Sequence, residues 1–209
     1  MSLKLYGLGE SRSFRCLWAL EEAGLEYEYV PIAFGSDQPG GAQDKAYLTK
    51  NSQGKLPTLE HDGFILTESA AIINYIDSLT EESFIPTEAK ARAKYDELSF
   101  FILAEMEQGL WTTGKHKFAL PEEHRVADIL PTAKFEFAKA VNAFDKLFTC
   151  GDYILGSSFT FADILLAHTI NWANKFEFDV PEHFTEYHAR MYARPTVKRA
   201  LVKITRVGY

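Results

Sequence analysis

Four short stretches of this chain hold side chains that could do chemistry. Ser11-Arg12-Ser13-Phe14-Arg15 places two hydroxyls and two guanidinium groups just ahead of a helical run, with Tyr6 five residues before. A hydroxyl at a helix start sits where the unpaired N–H groups and the helix dipole both favour an anion. Gln53-Gly54-Lys55-Leu56-Pro57 opens a strand-like run, and Glu68-Ser69 opens a second apolar helix whose first N–H groups suit a carboxylate. Thr160-Phe161-Ala162-Asp163 has the form of a capping box, with Thr160 as cap and Asp163 reaching back to its amide, which is a folding device and not a catalytic one. Cys16 lies one turn inside the first helix, 134 residues from Cys150, so buried packing is a better account of it than redox chemistry. His61, His116, His124, His168, His183 and His188 show no metal-ligand spacing, and no metal is expected.

The elements that must position these groups change character along the chain. Residues 1–79 mix short strands with short helices in the order βαβ, α, ββα. Leu3–Leu8 reads as a buried strand, Ser13–Ala23 as a helix closed by Gly24, and Glu26–Ile32 as a strand that Pro31 confines to a sheet edge. A short helix is expected around Asp44–Thr49, then a hairpin from Pro57–Glu60 and Phe64–Thr67 about His61-Asp62-Gly63, and a helix over Glu68–Leu79. Residues 80–86, ending in Pro86, form a linker. Residues 87–209 read as an all-helical bundle. Glu88 to about Lys115 carries a stripe of Leu98, Phe101, Ile102, Glu105 and Met106, and Ala127–Phe148 follows, with Pro131 near its start. Phe161–Ala173 is apolar nearly all round, and helices near 182–192 and 196–205 close the chain.

Composition narrows the function classes. The 209 residues carry 22 basic and 29 acidic side chains, a net charge of −7, which leaves a nucleic-acid role without an electrostatic footprint. No run approaches the ~18 apolar residues of a membrane span, and the start lacks a secretory apolar region. With two distant cysteines and no second pair, a reduced, cytoplasmic setting is expected.

Five strings in order, LYGLGESRSFRCLWALEEAGLEYE at 5–28, NSQGKLPTLEHDG at 51–63, LTESAAIINYI at 66–76, GSSFTFADILLA at 156–167 and ARPTVKRAL at 193–201, resemble a cytosolic glutathione transferase over essentially the whole chain, of the serine type and like bacterial and fungal members. The resemblance implies an α/β thioredoxin-like domain that binds glutathione as co-substrate, with no cofactor, an all-α domain that lines a pocket for a small hydrophobic electrophile, and a homodimer. In serine-type members the activating hydroxyl falls on Ser11, with Ser13 and Tyr6 as rivals and Arg12 or Arg15 as aids to the thiolate or to glutathione's carboxylates. The resemblance further implies that Leu56-Pro57 forms a cis-proline turn whose Leu56 N–H and C=O pair with the cysteinyl backbone. Glu68 and Ser69 would hold the γ-glutamyl end, and Lys55 and Gln53 would reach the glycyl or γ-glutamyl ends. The stretch Phe34–Tyr47 lacks the basic pair that some classes use for the glycyl carboxylate, so that contact is left open. Phe101 and Trp111, with Phe100, Phe118 and Tyr6, are candidates for the electrophile pocket. A non-catalytic glutathione-binding, carrier or regulatory protein of the same fold is the alternative function.

Overall fold

The structure is a computed structural model that describes residues 2–148 and 151–206; Cys150 lies outside them. The chain forms two compact units, Met1–Ser83 together with Tyr192–Tyr209, and Phe84–Met191. The first unit contains β1 (Leu3–Gly7), α1 (Ser13–Ala23), β2 (Glu28–Pro31), α2 (Lys45–Leu48), β3 (Thr58–His61), β4 (Phe64–Thr67) and α3 (Ser69–Asp77). The sheet order is β2-β1-β3-β4, with β1 parallel to β2 and the other pairs antiparallel, the expected thioredoxin-like arrangement. β2 is an edge strand, where Pro31 costs no ladder bond. Gly24 ends α1 with φ 64°, and its N–H reaches Leu20 O.

Register decides where the chemistry sits. Tyr6 opposes Thr58, and Thr58 opposes Thr67. The exit of β1, the entry of β3 and the exit of β4 therefore share one end of the sheet. Ser11, Leu56-Pro57 and Glu68-Ser69 follow or precede those strand ends.

The last residues of the chain join this first unit, whereas the sequence groups all of 87–209 with the helical half. Tyr192, where α8 (Glu182–Tyr192) ends, stacks on Phe14 at 6.2 Å between centroids and meets Trp18 edge-on at 5.8 Å. Arg194 donates twice to Glu22, at 2.6 and 2.9 Å, and Thr196 and Trp18 donate to the same carboxylate at 2.6 and 2.8 Å. On α9 (Pro195–Arg206), Arg199 and Lys203 meet Glu21 at 2.8 and 3.3 Å. Long-range charge complementarity, which no local pattern displays, thus fixes the closing helix to α1.

The second unit is helical, as expected: α4 (Ala89–Phe101), α5 (Glu107–Gly114), α6 (Leu130–Leu147), α7 (Phe161–Lys175) and α8 as far as Met191. Single π-turns at Ile102–Met106 and Lys115–Ala119 flank α5. The first π-turn corrects the expected stripe. It inserts one residue into the helical repeat, so Glu105 faces solvent while Glu107 is buried. Pro131 sits in the first turn of α6, where it opens the helix without a kink. Gly109 lets α5 approach α6 closely, since a Cβ there would lie 2.4 Å from Ala133 O. From Phe161 through Ile170 α7 is wholly buried, and Asp163 anchors its start. Asp163 Oδ1 accepts from Ile154 N (2.7 Å) and Tyr187 Oη (2.6 Å), while Oδ2 accepts from Thr160 N (2.7 Å) and Thr160 Oγ1 (3.0 Å). Among the described residues no helix is long and apolar enough to cross a membrane.

Removing the Asp163 carboxylate leaves four buried donors without an acceptor. Asp163→Ala should cost about 3 kcal/mol or more in urea unfolding. Asp163→Asn should be nearly as harmful, because its NH₂ would face two of those donors; a midpoint equal to wild type in both variants refutes this account. For Glu22, burial alone would raise the carboxyl, but Arg194, Thr196 and Trp18 outweigh it and hold it below its ordinary 4.5. Its contribution is therefore complete above pH 4.5 and fades as pH falls through the lower folded value. Glu22→Gln should cost about 1 kcal/mol at neutral pH, with the difference from wild type closing on the acid side.

Candidate functional site

At the exit of β1 the chain folds back on itself. Gly7 makes this fit, because a Cβ there would lie 2.8 Å from both Cβ and Oγ of Ser13. Ser13 is fully buried; its Oγ accepts from Leu8 N at 2.9 Å and lies 3.4 Å from Leu8 O. Ser11 is half-buried, with its Oγ 2.8 Å from Ser13 Oγ and accepting from Ser13 N at 3.3 Å. Of the two hydroxyls, Ser13 is committed to holding the loop, and Ser11 is the one that solvent reaches. Arg12 caps α1 in a helical conformation, half-buried, with no side-chain capping bond.

Tyr6 turns to the other face of the sheet. With Val30 and Leu56 it packs against the cluster of Ile32, Ala42 and Tyr47, and its hydroxyl donates to Glu60 Oε2 at 2.7 Å. Lys50 Nζ binds the same oxygen at 2.7 Å and stands 5.3 Å from the Tyr6 ring centroid. Burial and the Glu60 carboxylate push the Tyr6 phenol up, so it is a fixed donor to Glu60.

Between α2 and β3 a polar frame holds the loop that carries Gln53, Lys55 and Leu56. Tyr47 Oη donates to Lys55 O at 2.7 Å and lies 2.8 Å from Thr58 Oγ1. Asn51 Nδ2 donates to Lys55 O at 2.8 Å and Thr58 Oγ1 at 3.3 Å. Gly54 is at φ 59°, and a Cβ there would meet Ala42 O at 2.7 Å. The Leu56–Pro57 peptide is cis. Among the described residues the backbone N–H and C=O of Leu56 make no hydrogen bond, and the exposed Gln53 and Lys55 side chains have no partner. Tyr47 and Asn51 are the residues that sequence reasoning missed here. The one available signal was an asparagine three residues before a turn glycine.

Glu68 enters α3 with φ 68° and ψ 116°, a region that a side chain adopts only under constraint. Its side chain is exposed and without a partner among the described residues. Ser69 is buried; its Oγ accepts from Arg15 Nη1 at 3.4 Å, and its C=O accepts from Cys16 Sγ at 3.7 Å. Arg15 is completely buried, so it links the starts of α1 and α3 from within. Burial drives the Cys16 thiol far up, which leaves it a packing residue. Phe101 and Trp111 lie in the second unit, both half-buried, with Phe101 5.7 Å from Phe144 and Trp111 6.5 Å from Trp172 between ring centroids.

Family models describing the N-terminal and C-terminal domains of glutathione S-transferase match residues 1–78 and 105–195. A glutathione S-transferase GstA of Escherichia coli O157:H7 is 28% identical over 87% of this chain and 89% of its own length. A glutathione S-transferase hmp2 of Hypomyces subiculosus is 31% identical over 78% of this chain and 79% of its own. Among solved structures, a glutathione transferase homologue from Sulfitobacter with bound glutathione has a TM-score of 0.83 at 23% identity, covering 97% of this chain and 98% of its own.

Glu68→Gly should raise unfolding stability by about 1 kcal/mol, because glycine adopts this conformation without strain. Glu68→Gln should leave stability unchanged. A less stable glycine variant would show that the surroundings do not impose the conformation.

Proposed function

Since the chain belongs to the glutathione S-transferase family, we propose that its first unit binds glutathione, that Ser11 holds the sulfur as thiolate, and that this sulfur attacks a small hydrophobic electrophile. The observation that carries the reading is the sheet register that gathers Ser11, Leu56 and Glu68 at one end. The cysteinyl backbone of glutathione pairs with the open N–H and C=O of Leu56 beside Pro57. Its γ-glutamyl ammonium meets Glu68, and the γ-glutamyl carboxylate meets the first-turn N–H groups of α3 and the Ser69 hydroxyl. Lys55, with Gln53, takes the glycyl carboxylate.

Lowering a thiol pKa by two units requires about 2.7 kcal/mol. A hydroxyl hydrogen bond to the thiolate gives roughly 1.5–3 kcal/mol, and the α1 N-terminus about 0.3–1 kcal/mol. Together they suffice. In this reading Ser13, whose Oγ accepts from Leu8 N and lies 2.8 Å from Ser11 Oγ, gives its hydroxyl hydrogen to Ser11 Oγ and leaves the Ser11 hydrogen for the sulfur. The thiolate electron pair then forms the carbon–sulfur bond, and the electrophile's leaving group departs with its electrons or, in an addition, the charge is quenched by a proton from solvent. The enzyme works as a homodimer in the cytoplasm.

An ultraviolet titration of the glutathione complex tests this. The thiolate band should appear about two pH units below that of free glutathione, and Ser11→Ala should raise it by roughly one to two units. Turnover should fall about 10- to 100-fold in that variant while affinity for glutathione is kept. Unchanged turnover would remove Ser11 from the role, and binding without any lowered pKa would point to a carrier of glutathione.

A further inference from the structure

The end of α1 remote from Ser11 borders a groove that thiol activation does not use. The groove has a volume of about 860 Å³ and lies wholly within the first unit. One wall is the turn after α1, from Gly24 to Tyr27, and the other is the outer face of α9, with Lys198, Arg199, Val202 and Lys203. The 11 residues of α1, about 16 Å at 1.5 Å per residue, lie between it and the Ser11 end. Part of the lining is apolar. Leu25 is half-buried, Val202 is 46% exposed, and the space where Gly24 would carry a Cβ is empty to 4 Å.

Positive charge gathers at this end of the chain. From Tyr187 to Tyr209 the sequence holds six basic side chains, Arg190, Arg194, Lys198, Arg199, Lys203 and Arg206, and no acid. Residues 1–186 therefore carry the other 16 basic and all 29 acidic side chains, a net charge of −13 against +6. Arg194 is taken by Glu22, while Arg199 and Lys203 share Glu21, which also accepts from Tyr27 Oη at 2.5 Å. Two cations on one carboxylate leave a surplus positive charge, and Lys198 makes no ion pair among the described residues. The Arg199 and Lys203 side chains stay 55% and 41% exposed, so the surplus faces solvent. Lys203 Nζ also stands 3.8 Å from the Tyr27 ring centroid, which holds it along the groove. On the other wall Glu26 is exposed and unpaired among the described residues, and it confines a ligand's negative charge to the α9 side.

We propose that this groove docks an extended acidic segment of a partner protein, with alternate carboxylates on Lys198, Arg199 and Lys203 and the intervening apolar side chain turned to Gly24 and Leu25. Lys198 and Lys203 are about 7.5 Å apart along the helix axis, close to the ~6.8 Å between alternate side chains of an extended chain. A recessed apolar strip beside a row of cations suits a peptide. A flat lipid surface would meet the lysines and miss the strip, and a small inorganic anion would leave the strip bare. Residues 1–186, at −13, repel such a segment elsewhere, so the cationic end also steers it to the groove. Nothing in this docking depends on the transferase reading.

The test uses the intact chain and two peptides carrying the same fluorophore, Glu-Leu-Glu-Leu-Glu and its uncharged counterpart Gln-Leu-Gln-Leu-Gln, with binding read by anisotropy. The acidic peptide should bind at least about fivefold more tightly, and the difference should shrink as salt is raised. Lys198→Gln should weaken its binding about threefold and Val202→Asp at least about fivefold, whereas Glu26→Gln should strengthen it about twofold. All three positions are exposed, so these variants should melt like wild type, and Lys139→Gln, on the exposed face of α6, should change nothing. Equal affinities for the two peptides overturn the proposal, as does a loss in Lys139→Gln as large as that in Lys198→Gln. Sedimentation with phosphatidylserine vesicles in place of discrimination between the peptides would give the surface to a membrane and overturn it too. Retention on immobilised glutathione separates this proposal from the transferase reading. A chain that discriminates between the peptides but is not retained keeps the groove and loses that reading, and a retained chain that does not discriminate loses the groove alone.

Discussion

A guanidinium with no access to water governs the first unit. Arg15 is completely buried in the first turn of α1, and a cation in that position is tolerable only where fixed acceptors surround it. One acceptor is Ser69 Oγ, at the start of α3. The requirement to satisfy Arg15 therefore locks the two helix starts together, and with them the backbone that presents Ser11 on one side and Glu68 on the other. The strained conformation of Glu68 follows from the same constraint: the residue after it is held by Arg15 and Cys16, so the chain leaving β4 has little freedom in how it arrives. Ser13 acts likewise on the α1 side, buried against Leu8 so that its neighbour's hydroxyl is left at the surface.

Much of the architecture was legible because local rules and tertiary fold agree. Pro31 implied an edge strand and occupies one; Gly24 implied a left-handed helix end and supplies it; the hairpin about His61-Asp62-Gly63 pairs as its alternation requires. The stripe along the first long helix misled at Glu105, since the apolar spacing on either side of a π-turn is regular and the inserted residue leaves no mark in it. The fate of the closing helix was hidden for a different reason. Arg194, Arg199 and Lys203 look like a solvated basic face until Glu21 and Glu22, some 170 positions away, are known to lie opposite.

The segments that carry the candidate site were legible for the same reason. Hydroxyls at helix starts and an acid before a serine are patterns with a mechanism, and their segments do converge at one sheet end. What the residue order did not disclose was the support behind them. Tyr47 and Asn51 act through hydrogen bonds to the Lys55 carbonyl and contacts to Thr58 Oγ1, across loops whose closure depends on Gly54. Tyr6 stood near enough in sequence to rival Ser11, yet strand alternation sends it to the opposite face, where Glu60 claims it.

The assignment of the chain's last residues to the first unit has a bearing on how the protein is made. A ribosome releases β1 through α3 early, but Glu21 and Glu22 must then wait for Arg194 and Arg199 until the whole helical unit between them has been translated. At about 5–20 residues per second that interval is on the order of 5–20 s. During it Phe14 and Trp18 are without the ring of Tyr192 that later covers them. The nascent first unit is thus an unfinished body with an uncovered apolar face, and the helical unit, contiguous in sequence, is the part that can mature first.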